Sequence, residues 1–230
     1  MFANFDFDVI LRSLPYLFYQ GMTFTLLLTA LATLGGIVVG TLLALMRLSG
    51  VPFLNLPAAA YVNLMRSVPF VLMIFWFYFL VPYIGQWITR APQPLQVGAF
   101  ASCLITFTLF EAAFFCEIMR AGIQSIPRGQ VAAAQALGMT YPKTMGYIVL
   151  PQAFRNMVPV LLTQTIVLFQ DTSLVYVISV TDFLGAASKI AQRDGRLVEM
   201  YIFAACVYFL VSLGASHLVR QLQHRIAIIR

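Results

Sequence analysis

The sequence predicts an all-α, polytopic transmembrane helix bundle of about five spans in a single domain covering residues 1–230. Three observations predict it. Of 230 residues, 61% are hydrophobic and 10% are charged, against about 25% charged in a soluble globular domain, and mean hydropathy is +0.88. Apolar runs recur, each near the ~20 residues that a helix needs to cross the hydrocarbon core. The segments between them are short and punctuated by Pro and Gly, so one compact bundle fits better than two soluble domains.

Taken in order, the charge-free run from Ser13 to Met46 holds the first span, at about 20–44. Its Gly35, Gly36 and Gly40 allow close helix approach. "RLSGVPFLNLPAA" then breaks the chain at Gly50, Pro52 and Pro57. A second span, at about 60–80, lies in the run around Arg66 to Arg90. Its aromatic residues Phe75 to Phe79 cover too many faces to be a ligand box and read as packing or lipid-facing surface. "VPYIGQWITRAPQP" reads as a loop with an interfacial Trp87. The third span, at about 97–118, is interrupted by Glu111 and Glu117; the fourth, at about 156–178, contains Asp171. "TDFLGAASKIAQRDGRLVE" is the most polar late loop, in which Ser188 to Arg193 forms a short surface helix. The fifth span, at about 200–219, ends before "RQLQHRIAIIR".

Charge sets the expected orientation. With the N-terminus outside, the inner segments hold Arg47, Arg66, Arg120, Arg128, Lys143, Arg155, Arg220, Arg225 and Arg230. The outer ones hold Arg12, Arg90, Lys189, Arg193 and Arg196. Nine against five favours an N-terminus outside and a C-terminus in the cytoplasm. The net charge of +6 comes without a Lys/Arg block, so it anchors membrane ends rather than nucleic acid. Cys103, Cys116 and Cys206 lack metal-ligand spacing and read as small buried apolar groups. "MFANFDFDVILR" makes a poor secretory leader, so the start is expected to belong to the mature protein. No phosphate loop, HExxH, paired CxxC or nucleophile elbow occurs in the sequence, which excludes a self-contained P-loop ATPase. His217 and His224 read as interfacial residues without a role.

Between the third and fourth spans, at about 120–155, lies "VAAAQALGMTYPKTMGYIVLPQAFR". Gly129 to Leu137 predicts a short helix with alanines at 132, 133, 134 and 136. Gly138 can supply a left-handed cap, and Pro142 suits the first turn of a new helix running through Met145 and Ile148 to Pro151. Such a unit makes a rigid, small-faced knob that fits a groove on another protein. The alternative is an interfacial hairpin on the lipid surface, although the helix has little basic amphipathic character.

This stretch resembles the cytoplasmic signature of ABC importer permeases: E-A-A, three residues, G, nine residues, I-x-L-P. Here it runs Ala132-Ala133-Ala134, Gly138, Ile148, Leu150 and Pro151, with alanine at the acid position. That departure makes docking depend more on shape than on charge. "YVNLMRSVPFVLMIFWFYFLVP", "SIPRGQVAAAQALGM", "LPQAFRNMVP" and "QDTSLVYVISVTDF" look like the polar amino-acid branch, and within it the permeases of glutamate/aspartate import. The resemblance implies the type I importer permease fold and a multi-pass place in the bacterial inner membrane. It implies four kinds of partner: a cytoplasmic ABC ATPase dimer, which uses ATP and Mg; a second homologous permease subunit; an extracytoplasmic amino-acid-binding protein; and the amino acid itself. No cofactor is expected on this chain, nor any covalent chemistry. The coupling helix of the family maps onto Gly129 to Gly138, which makes Ala132, Ala133, Ala134, Leu137 and Gly138 the expected ATPase-docking residues.

Polar residues within the spans mark a translocation path or gate: Arg66, Glu111, Gln164, Asp171, Thr172 and Ser173. Gln164 and Asp171 are seven apart and share a helix face. An ionised group facing lipid is costly, so that face points into the bundle or a watery path. Interhelical hydrogen bonding is the alternative role. Arg66 can hold a carboxylate through two parallel hydrogen bonds or snorkel to headgroups. Glu117 and Arg120, three apart, form a local ion pair. Two other functions stay open on the residues: an ion-coupled secondary amino-acid transporter using Asp171 or Glu111, disfavoured by the lack of an inverted repeat, and a non-transport membrane scaffold.

Overall fold

The computed structural model describes residues 5–226 as a bundle of eight helices. They are α1 (Phe7–Leu48), α2 (Pro52–Ser67), α3 (Phe70–Thr89), α4 (Ala99–Gln124), α5 (Arg128–Ala136), α6 (Tyr141–Ile178), α7 (Phe183–Asp194) and α8 (Leu197–Ile226). Five of them, α1, α3, α4, α6 and α8, are long and apolar enough to cross a membrane. Arg230, counted above for orientation, lies outside the described residues, as do Met1 to Asn4 at the start.

Asp6 caps α1 by accepting hydrogen bonds from the backbone N–H of Asp8 (2.9 Å) and Val9 (3.3 Å), which satisfies two of the orphan donors of the first turn. At 42 residues and 1.5 Å rise, α1 is about 63 Å long, twice the ~30 Å hydrocarbon core. The expected span of 20–44 is therefore only its C-terminal part. A π turn over Leu17–Met22 separates that part from the first three turns.

The second expected span, 60–80, is divided in the structure. The ring of Pro69 disfavours helical geometry at the preceding residue, and Val68 is extended at φ −106°, ψ 137°. The chain turns there, so α2 ends at Ser67 and the crossing helix α3 begins at Phe70. At its other end α3 runs through Pro82 to Thr89, so the loop expected from "VPYIGQWITRAPQP" begins only at Arg90, which is left-handed at φ 54°. The Pro82 carbonyl accepts a bond from Leu95 N–H at 3.2 Å, folding that loop back on the helix.

α4 is the central helix, with 56% of its most apolar window buried. It packs on α1 where the glycines of α1 remove side-chain bulk. A Cβ added at Gly40 would lie 2.9 Å from the Ala112 carbonyl oxygen, and one at Gly36 would lie 2.9 Å from the Phe115 ring. Phe107, Ala112, Ala113, Phe115 and Cys116 of α4 are fully buried. Cys103 is buried too, whereas Cys206 is exposed on α8. The expectation of three buried cysteines thus fails at Cys206, because α8 turns much of its surface away from the bundle, with Phe209, Leu210, Leu213 and Leu218 also exposed.

The stretch expected as a polar outer loop with a surface helix is different. It forms α7, and Phe183, Ala186, Ala187, Ile190 and Ala191 are buried in one core with Val9, Leu17 and Met200. Only one face, with Lys189, Gln192 and Arg193, is exposed. Gly21 in the π turn of α1 admits this helix: a Cβ there would be 2.9 Å from Ala186 Cβ. Asp182 caps α7, accepting from Gly185 N–H (2.8 Å) and Leu184 N–H (3.0 Å). Burial pushes this carboxyl up to about 6, against the pull of those N–H groups and of the Tyr208 hydroxyl. The signal was present in the sequence as Asp directly before an apolar periodic run.

Candidate functional site: a midplane polar pair and a capped helix at one end

Two features stand out, one inside the bundle and one at its end. Glu111 lies at the middle of α4 and is 0% exposed. A buried carboxyl needs a partner, and Gln164 of α6 provides it. Its Nε2 donates to Glu111 Oε2 at 3.1 Å and to Oε1 at 3.4 Å. Asp171 lies seven residues, or about 10 Å, further along α6. It is half-buried, and among the described residues no hydrogen bond or ion pair reaches its carboxylate. Here α6 tightens from α to 3-10 geometry over Thr172–Ile178. Thr172 is buried and donates to the Phe169 carbonyl at 2.7 Å, and Ser173 is half-buried beside it. Glu111 and Gln164 thus form a polar pair across the α4–α6 contact, and Asp171, Thr172 and Ser173 follow further along α6.

Arg66 does not join them. It sits in the last turn of α2, with its guanidinium 5.5 Å from the Phe114 ring centroid and Nη1 3.9 Å from Glu117 Oε2. The local pair expected between Glu117 and Arg120 exists, at 2.6 Å, but it is part of a larger group. Arg47 of α1 also pairs with Glu117. One carboxylate therefore ties the ends of α1 and α2 to α4. Arg47 was not paired with it in sequence because 70 residues separate the two, beyond any local spacing rule.

At the same end of the bundle, α5 and the start of α6 form the helix–glycine–helix unit. Gly138 is left-handed at φ 78°. Its N–H bonds to the Gln135 carbonyl at 2.9 Å, and Met139 N–H bonds to the Ala134 carbonyl at 3.1 Å. These two bonds define a Schellman cap, which closes the helix by satisfying carbonyls of its last turn. Pro142 then occupies the first turn of α6. Helix α6 begins at 141, where the restart at Pro142 was expected, and runs on through Pro151 without a break into the span expected from 156. The unit is seated by Ile126, Val149 and Ala153, with Ile123, Val131 and Met145 around them.

Of the five expected docking residues, Ala132, Ala133, Leu137 and Gly138 are exposed, Leu137 at 84%. Ala134 is 5% exposed. It lies on the inward face of α5, so it seats the helix on the bundle and does not face outward. A two-turn helix shows only one face to a partner.

A Gln164→Leu change tests the polar pair. It leaves the Glu111 carboxyl buried without its donor, and is expected to cost about 1.5–3 kcal/mol, read as a lower Tm of the detergent-purified protein. An unchanged Tm would show that Gln164 does not support Glu111.

An end-capped helical knob beneath five apolar spans, with a polar pair between two of them, defines a helical membrane transport subunit of the importer type. Residues 36–228 match the family of binding-protein-dependent transport system inner membrane components, and the chain belongs to that family, as a permease subunit of an ABC importer and not its ATPase. It is 52% identical over 224 residues to the glutamate/aspartate import permease protein GltK of Escherichia coli O6:H1, covering 97% of this chain and 99% of that one. It is 30% identical over 226 residues to the glutamine transport system permease protein GlnP of Escherichia coli K12, covering 98% and 100%. Its fold matches a crystal structure of an amino acid ABC transporter with histidines at TM-score 0.85 and 32% identity, over 96% of this chain and 98% of that one. An inward-facing form of the MetNI methionine ABC transporter shares the fold at TM-score 0.66 and 22% identity, over 90% and 96%.

Proposed function

We propose that this permease carries glutamate or aspartate inward across a bacterial inner membrane. The observation that carries this reading is the 52% identity to a glutamate/aspartate permease over nearly the full length of both chains, against 30% for a glutamine permease. A solute-binding protein delivers the amino acid at the face away from α5, with the 90–98 loop and the exposed side of α7 as its contacts. The N-terminus lies outside and the C-terminus lies in the cytoplasm, which puts α5 on the cytoplasmic side. A second, homologous permease completes the membrane unit.

The ATPase dimer, which holds ATP and Mg, grips α5 at Ala132, Ala133, Leu137 and Gly138. Its closure moves α5, and α5 moves α6, to which it is joined by only four residues between Ala136 and Tyr141. Because α6 carries Gln164, Asp171, Thr172 and Ser173, a shift of its base moves the Gln164 donor against Glu111 and carries the other three with it. That is the two-state element through which the partner's ATP cycle reaches the solute. Asp171, which no hydrogen bond or ion pair reaches among the described residues, keeps its charge only if water or solute reaches it. It suits a gate better than a seat for a solute carboxylate, which it would repel.

The test is uptake by sealed vesicles holding this chain, its permease and ATPase partners, the binding protein and trapped ATP. Labelled glutamate and aspartate are expected to enter, and glutamine far less. Entry of glutamine alone would overturn the substrate. Entry driven by a proton gradient without ATP would overturn the mechanism.

A further inference from the structure

At the α5 end of the bundle three guanidinium groups surround one carboxylate. Arg47, Arg66 and Arg120 come from α1, α2 and α4, and all pair with Glu117. Three positive charges less one negative leave a net +2. The carboxylate is already committed: Oε1 to Arg47, and Oε2 to Arg120, whose Nη2 and Nε donate at 2.6 and 3.2 Å. Arg66 is what remains over. At 3.9 Å from Oε2 it is beyond hydrogen-bond reach. Among the described residues no hydrogen bond engages it, its plane is steadied by the Phe114 ring, and its side chain is 43% exposed. A guanidinium is a planar fork that matches a carboxylate through two parallel bonds, and here that fork is unused.

Glu117 also closes the inner end of a groove of about 380 Å³ between α4 and α6. Ile118, Ala121 and Gly122 line one wall, and Met157 and Val160 line the other. The outer end is Ser125 and Asn156, where Asn156 Nδ2 donates to Ser125 Oγ at 2.8 Å. From Glu117 to Ser125 is eight residues of α4, about 12 Å, and the groove runs toward α5, away from the middle of the membrane. That direction decides between ligands. A phospholipid bound by its phosphate at the arginines would send its acyl chains toward the bilayer centre, opposite to this groove. A free amino acid fits the space, whose volume lies within the ~300–1,000 Å³ typical of small-molecule sites. Its carboxylate finds the open fork of Arg66, which lies 3.9 Å from Glu117 at the groove's inner end.

We propose that Arg66, backed by Arg47 and Arg120, is a release subsite that holds a carboxylate of the translocated acidic amino acid as it leaves by the α4–α6 groove on the α5 side. This rests on the acidic-substrate reading above. It separates Arg66 from the midplane residues: Glu111, Gln164 and Asp171 handle the solute inside the membrane, and the arginines take it at the exit. Net positive charge there draws an anionic solute away from Asp171, which repels it. It also lets a high internal concentration of the same amino acid occupy the exit and slow further import.

Arginine-specific footprinting of the assembled wild-type transporter tests this without a variant that could misfold. The complex, in nanodiscs of neutral phosphatidylcholine, is reacted with phenylglyoxal, and the modification rate of each arginine is read by peptide mass spectrometry. Glutamate or aspartate is expected to slow modification of Arg66 about tenfold at a ligand level near nine times the dissociation constant, with Arg220 and Arg225, exposed on α8, as unaffected references. Glutamine, which lacks the second carboxylate, is expected to protect less. Protection by inorganic phosphate but not by glutamate would overturn the proposal in favour of a general anion site. Protection that appears only when phosphatidylglycerol is added would overturn it in favour of a lipid. No protection by any of them would overturn it outright. The uptake assay above separates the two readings: import of glutamate with an unprotected Arg66 rejects the release subsite alone, whereas import of glutamine alone rejects the substrate on which it rests.

Discussion

Gly40→Val is expected to abolish stable packing of α1 on α4 and to remove most of the folded protein from the membrane. The cause is backbone, not side-chain, contact. The first carbon added at position 40 falls 2.9 Å from the Ala112 carbonyl oxygen and 3.1 Å from Cys116 N, and neither atom can swing away as a flexible side chain would. Phe115 Cβ is equally close, at 2.9 Å. The helices must part, and in lipid their association depends on that close approach, since apolar tails compete with apolar side chains and no hydrophobic drive restores the contact. Overpacking of this kind costs about 1–3 kcal/mol in a soluble core, and Val adds two further methyl groups beyond the clash. The damage also reaches the site: Glu111 sits one residue before Ala112 and touches the same helix through Gly36, where an added Cβ would meet Glu111 Cβ at 3.2 Å. Thermal unfolding of the detergent-purified protein and the yield of assembled permease both check it. Gly214→Ala, in α8 where nothing lies within 4 Å, is the control and should leave both near wild type. Equal yields and equal Tm for the two variants would show that the α1–α4 contact is not set by glycine.

How far the sequence carried the fold depends on whether the signal was local. The α5 unit was legible almost residue by residue, because alanine, Gly138 and Pro142 each act on their own few bonds: helix, left-handed cap, restart. The glycines of α1 were legible as an approach surface, though not which helix they approach. The break at Val68 was also written locally, in the Ser67-Val68-Pro69 sequence, but a continuous apolar run masked it when hydropathy alone placed the span. α7 was misjudged for the opposite reason. Its polar residues are real and lie on one face, yet its alanines and Phe183 fill a core made by the first turns of α1 and by α8, which no window of ten residues reveals. The site divides the same way. Glu111 called for an internal partner, but Gln164 could be named only once α4 and α6 were placed side by side. Arg66 looked like a member of the midplane set because its helix and α3 read as one span; once Pro69 turns the chain, Arg66 belongs to the end of the bundle with Arg47 and Glu117.

The capped helix α5 offers the sharpest separation between building the transporter and driving it. Gly138→Val places a β-branched residue at φ 78°, a region that costs an L residue about 1–2 kcal/mol and is a genuine outlier for a β-branched one. A Cβ there meets nothing within 4 Å, so the cost is conformational and not steric crowding by neighbours. The chain escapes it by leaving the left-handed region. That breaks the bonds from Gly138 N–H to Gln135 and from Met139 N–H to Ala134, frays the last turn of α5, and loosens its rigid tie to the first turn of α6. A lever with a loose joint still meets its motor but no longer moves the bundle. In vesicles with trapped ATP, uptake is expected to fall about tenfold, the factor that follows from ~1.4 kcal/mol, while the ATPase still co-purifies and still hydrolyses ATP. Gly138→Asn, which tolerates the left-handed conformation, should keep most of the uptake. Ala133→Trp should behave in the other way: Ala133 is exposed, the cap stays intact, and the added bulk blocks the partner's approach, so the ATPase is lost on purification. If Gly138→Val transports at the wild-type rate with normal membrane levels, the glycine cap is a convenience of folding and the drive from the ATPase enters the bundle somewhere other than α5.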